Sequence, residues 1–217
     1  MYKVSTNRLF ATLSIWLTVC TVSSSAFAQQ PANSKVVLKE SFEQAELGDQ
    51  WTISKGKWDL ADGVLTGTEQ AKDKHSAVIE YKAETGNTVY EFKFLFSKKT
   101  ESLDFDFAPA NDDADSSKSL FSLTITPNAW YLAKDNDGSS PKNSEPIIIA
   151  RQDKEFQVDR WYTARVTTWG PFVTAKIDQR STLTGSAQKF ATRKAAIMLR
   201  VSGGPVQIDE IHIWTQR

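Results

Sequence analysis

The chain of 217 residues has a single cysteine, Cys20. One thiol closes no disulfide within the chain and builds no Cys-ligated zinc site, so an apolar core has to hold the fold. Cys20 also lies inside an apolar run from Leu9 to Val22, which follows Lys3 and Arg8 and precedes Ala26-Phe27-Ala28. A positive flank, a short apolar run and small residues at a cleavage site read as a secretory signal peptide over residues 1–28, cleaved after Ala28. Thr12, Ser14, Thr18 and Thr21 interrupt the run, which falls short of the about 20 apolar residues a membrane span needs. Val19 occupies the position where a lipoprotein signal wants a small residue. The expected location is therefore secreted or periplasmic, with no membrane insertion once the signal is removed.

An excess of either charge is missing as well. Lys+Arg and Asp+Glu each number 26, and loss of Lys3 and Arg8 leaves 24 against 26, a formal charge of −2. Without a basic run there is no electrostatic footprint for nucleic acid or anionic lipid. Neither a G-x-S-x-G elbow, a P-loop, an H-E-x-x-H helix nor a dinucleotide fingerprint occurs, so nucleotide is not expected as a partner.

What the sequence does have is alternation. After a polar lead-in over residues 29–35, the domain expected at 36–217 is patterned with a period of two. Tyr90, Phe92, Phe94 and Phe96 alternate with Glu91, Lys93 and Leu95; Leu103, Phe105 and Phe107 alternate with Asp104 and Asp106; Phe121, Leu123 and Ile125 repeat the pattern. Asp62-Gly63 closes one hairpin, and Gly170-Pro171 closes a second between Trp161–Trp169 and Phe172–Ile177. In the last strand the phase shifts, with Val206 and Ile208 set against Ile211 and Ile213, which predicts a β-bulge near Asp209-Glu210. Roughly a dozen short strands without an amphipathic helix define an all-β chain, a two-sheet antiparallel β-sandwich.

Two stretches are similar to a known group. Trp51, Gly56-Lys57-Trp58 and Asp62-Gly63-Val64-Leu65-Thr66-Gly67 resemble the opening of the concanavalin A-like lectin/glucanase superfamily, and Arg160–Val166 with Val173–Asp178 resembles its later hairpin. More narrowly, the chain resembles exported bacterial 3-keto-disaccharide hydrolase-like and laminin-G-like jelly-roll domains. The resemblance implies a jelly roll that binds a glycan or oligosaccharide, or a hydrolase or lyase acting on glycosides; an envelope interaction module is a further reading. It also implies a structural Ca²⁺ held where the terminal strands meet, a place that Glu43 and Asp209 resemble. Gln179-Arg180 departs from the usual Gly turn, and Glu101–Asp106 does not reproduce the Glu-x-Asp-x-x-Glu strand of sandwich glucanases.

Four residues are candidates for catalysis. Asp104 and Asp106, at i and i+2, share one face of a strand about 7 Å apart, where they serve either as acid and base or as a solvated surface pair. His75 follows Lys72-Asp73-Lys74 and acts either as acid, base or sugar hydrogen-bonder or as a turn residue. Arg165 shares its face with Thr163 and Thr167 and is either a clamp for the ligand or an ion-pair partner of Asp104 or Asp106. For stacking on sugar rings, Trp130, Tyr131 and Trp169 stand at strand ends or turns, with one of the three expected to be exposed. His212 is expected on the outer face of the last strand with little around it.

Overall fold

The computed structural model describes residues 30–110, 119–134, 146–178 and 181–216. The expected signal peptide, the acidic stretch 111–115, the polar loop 135–144 and Gln179-Arg180 lie outside the described residues.

Fifteen strands make up most of the described residues. They are β1 (Ser34–Glu40), β2 (Trp51–Lys55), β3 (Lys57–Ala61), β4 (Val64–Thr68) and β5 (Ala77–Thr85). Then come β6 (Thr88–Phe96), β7 (Thr100–Pro109), β8 (Ser122–Thr126), β9 (Ala129–Lys134) and β10 (Ile147–Asp153). The last are β11 (Trp161–Trp169), β12 (Phe172–Ile177), β13 (Ser181–Ser186), β14 (Lys194–Gly203) and β15 (Val206–Gln216). The helical turns described are two 3₁₀ segments, Ala71–Asp73 and Gln188–Ala191. β1 starts at Ser34, inside the expected lead-in.

All pairings are antiparallel and fall into two sheets. Sheet I runs β13-β12-β11-β6-β15-β4-β3, with β1 added to β15; sheet II runs β10-β9-β8-β7-β14-β5-β2. Alternation assigns each side chain to the space between the sheets or to an outer face. The aromatic row of β6 meets that of β7: Phe92 stacks on Phe105 at 4.7 Å between centroids, and Phe107 stacks on Phe121 at 4.2 Å. Each such ring removed from water contributes about 1.5–3 kcal/mol, which explains how the fold dispenses with disulfides.

Packing accounts for the opening motif. Trp58 is buried, and its ring lies so close to Gly67 that a Cβ there would come within 2.6 Å of it. At Gly56, with φ of 76°, a Cβ would lie 2.2 Å from that of Ala77. Asp62 and Gly63, at φ of 52° and 71°, make the primed hairpin turn between β3 and β4.

The expected bulge is present. The β15–β6 register shifts between Asp209 and His212, and Glu210 sits at φ of 51°. Ile208, Ile211 and Ile213 are therefore all buried, and β15 pairs with β4 through Val206–Ile208 and with β1 through Ile211–Gln216.

Candidate functional site

The outer face of sheet II carries two of the candidate carboxylates, Asp104 and Asp106, on β7. Pairing registers place Lys55, Val78, Arg200, Asp104, Thr124, Tyr131 and Arg151 directly opposite one another, strand by strand. A parallel row holds Thr52, Glu80, Met198, Asp106, Ser122, Ala133 and Ile148. Directly opposed residues point to the same side of a sheet, so Asp104, Asp106, Arg200, Thr124 and Tyr131 share one face.

Several of these polar groups are withdrawn from water. Asp106 and Thr124 are 5% and 6% exposed. Arg200 Nε donates to Asp106 Oδ2, and Arg200 Nη2 lies 3.7 Å from Met198 Sδ. Thr124 Oγ1 donates to Asp104 Oδ1 at 2.6 Å, and Ser102 Oγ reaches Asp104 Oδ2 at 3.4 Å. Burial pushes the Asp104 carboxyl above the usual range, against the opposing pull of Thr124, the Arg200 charge and Ser102. A carboxyl kept easier to protonate on an outer face is equipped to take and return a proton. At the end of the row, the Arg151 guanidinium lies 6.0 Å from the Tyr131 ring centroid and pairs with Asp153 at 2.9 Å.

Other expected participants lie elsewhere. Arg165 is on the outer face of sheet I, opposite Glu91 in register and bonded to it at 2.8 Å. It pairs with neither Asp104 nor Asp106, because the thickness of the sandwich separates the two outer faces; Arg200 takes the place expected for it beside Asp106. His75 is exposed, with Nδ1 3.1 Å from the Ser76 carbonyl. Ser76 Oγ in turn meets Ser202 Oγ at 2.7 Å, and Ser202 faces Ser102 across β14 and β7. A row of hydroxyls thus lies between His75 and Asp104 without direct contact between the two.

The three aromatic candidates separate by the parity of their strands. Trp130 is fully buried opposite Ile125, with Nε1 making no hydrogen bond, so the expected stacking surface is absent there. Its neighbour Tyr131 points outward, half-buried, opposite Thr124. Trp169 is 51% exposed at the tip of the β11–β12 hairpin, beside Phe172 at 58%, and belongs to sheet I.

Glu43 and Asp209 are near enough to interact. Burial raises the Asp209 carboxyl, with Glu210 and Glu43 adding to the rise while the Glu210 N–H and Lys93 oppose it. Among the described residues no group of three or more His, Cys, Asp or Glu side chains is disposed to hold a metal.

His212 differs from expectation. It is 6% exposed, stacked on Trp214 at 5.2 Å, 3.5 Å from Glu210 Oε2, and its Nδ1 has no partner. Burial lowers its pKa despite the nearby Glu210 and Glu91. Arg200 escaped the sequence reading, although a cation within the alternating strand Ile197–Val201 is the same signal that singled out Arg165.

Two antiparallel sheets packed over an apolar core define a β-sandwich of the jelly-roll kind. Within that class the chain belongs to the family of the 3-keto-alpha-glucoside-1,2-lyase-like domain, whose profile matches residues 38–214. A search of the curated proteins returns no significant match. Among solved structures, the chain is similar to the carbohydrate-binding module CBM66 from Bacillus subtilis, with a TM-score of 0.60 and 14% identity over 75% of this chain and 93% of that one. It is also similar to SCLam, a non-specific endo-beta-1,3(4)-glucanase from family GH16, at a TM-score of 0.66 and 10% identity over 88% and 94%. A galectin-like fold protein from Bacillus subtilis aligns at a TM-score of 0.63 and 10% identity over 85% and 100%.

Proposed function

We propose that the outer face of sheet II binds a glycoside and that Asp104 moves a proton on it, in a 1,2-elimination of the type named by the family. The observation that carries this reading is the placement of Asp104 on an outer face, where Thr124 Oγ1 donates to it at 2.6 Å, Ser102 Oγ lies 3.4 Å away and Arg200 stands opposite in register. A ketone at C3 of a sugar acidifies the hydrogen on C2, so elimination needs a base at C2 and an acid at the departing glycosidic oxygen. Ionised Asp104 takes the C2 proton as the C1–O bond breaks and the C1–C2 double bond forms. Protonated, it returns that proton to the leaving oxygen. The two relatives described in glycan terms, a carbohydrate-binding module and a glucanase, support a glycan as partner. The N-terminal segment supports export, checked by N-terminal sequencing for a mature chain starting at Gln29.

The test is a panel of 3-keto-glucosides and their unoxidised parents incubated with purified protein. Release of aglycone from the oxidised members alone is expected, with Asp104→Asn slower by about 10²-fold or more. Turnover unchanged in Asp104→Asn would remove this residue from the chemistry. The binding of Asp106 to Arg200 favours a second reading, a glycan-binding face without turnover. Saturable binding by both wild type and Asp104→Asn, with no product from either, would select it.

A further inference from the structure

The two most exposed large hydrophobic side chains of the described residues stand side by side. Trp169 and Phe172 are directly opposed at the tip of the β11–β12 hairpin, so both rings lie on the outer face of sheet I. Their backbone is held from two sides. Gly170, at φ of 52°, donates its N–H to Asn87 Oδ1 at 2.8 Å, and the Ala187 N–H donates to the Pro171 carbonyl at 3.0 Å. Rings on a pinned turn present a fixed surface, which loses little freedom when a ligand settles on it.

Strand parity carries the same face inward from the tip. Thr167, Thr174 and Thr184, two residues further along their strands, form a row in register across β11, β12 and β13. Thr167 and Thr174 are half-buried and Thr184 is exposed. The block of rings and hydroxyls measures about 10 Å across the strands and about 7 Å along them, room for two linked sugar rings. Aromatic faces beside a row of hydroxyls suit a ligand with the same two textures: the C–H face of a pyranose and the hydroxyls at its rim.

The same dimensions argue against a protein or lipid surface. The two rings offer about 300–500 Å² between them, below the about 800 Å² per partner that a stable protein interface buries, and threonine is scarce among the residues that anchor one. The next row on these strands holds Arg165, already paired with Glu91, then Lys176 and Thr182, against the about four to eight basic residues that hold a protein on anionic lipid. We propose that Trp169, Phe172 and the threonine row form a second glycan-binding platform, which takes an extended polysaccharide chain by stacking. It lies on the outer face opposite the one that carries Asp104 and stands or falls without the reaction placed there.

The test incubates the full chain with microcrystalline cellulose, chitin and an insoluble β-1,3-glucan, and measures its depletion from solution. At least one of the three is expected to retain the protein in a saturable way. Both rings are exposed, so Trp169→Ala and Phe172→Ala remove no core contact, and each should weaken retention about tenfold. Thr174→Val, which keeps the shape and removes the hydroxyl, should weaken it about threefold. Asp104→Asn should be retained as the wild type is, which separates this platform from the face of sheet II. Vesicles of phosphatidylcholine and phosphatidylglycerol should not carry the protein on flotation, and sedimentation should give the same species for wild type and Phe172→Ala. No retention on any of the three, retention unchanged in the Trp169→Ala/Phe172→Ala double variant, or retention lost in Asp104→Asn would overturn the proposal. So would vesicle binding or self-association that the double variant abolishes.

Discussion

At the scale of single residues, Asp104 carries a cost in stability. Its folded pKa is raised by burial, so the ionised carboxylate at neutral pH costs stability that disappears on protonation. Asp104→Asn should therefore melt higher than the wild type at pH 7. Its advantage should shrink as the pH falls through the raised pKa toward the ordinary 3.8, which thermal unfolding across pH can follow. Lys194 gives the opposite slope. It is 2% exposed, its Nζ bonds the Phe190 carbonyl at 2.7 Å, and burial lowers its pKa from 10.5 to about 8. The unfolded chain binds more protons there than the folded one, so this residue makes stability rise with pH from about 8 to the ordinary 10.5. Lys194→Met should abolish that rise, as read by the unfolding midpoint against pH.

At the scale of elements, the sequence was legible where alternation was unbroken. β6, β7 and β11 with β12 follow directly from their two-residue period, and the phase slip in β15 marked the bulge that Glu210 now occupies. The same period says which side chains share a face within a strand, but not which sheet the strand joins. For that reason Arg165 looked compatible with Asp104, although β11 lies in sheet I and β7 in sheet II. Trp130 and Tyr131, adjacent in one strand, had to point to opposite sides, and only the pairing with Ile125 and Thr124 decides which. Two substitutions test the local geometry. Gly67→Ala should displace the Trp58 ring and cost about 1–3 kcal/mol in denaturant unfolding. Glu210→Gly should relieve a left-handed backbone and stabilise by on the order of 1 kcal/mol.

At the scale of the molecule, the two outer faces are chemically separate. Arg200→Met should remove the ion pair beside Asp104 and impair glycoside binding, whereas Arg165→Met should act on stability alone. Calorimetry of the two variants and of the double variant should return additive changes in unfolding free energy, because the residues share no partner. β15 finally sets an order of events. Along one side it meets β4 and then β1, so Ser34 ends up opposite Gln216. Sheet I thus cannot seal while either extremity of the domain is still missing. Closing so large a loop late makes folding slow, and a nascent chain lacking its final strand would expose Tyr90, Phe94 and Leu65 along an unfinished seam.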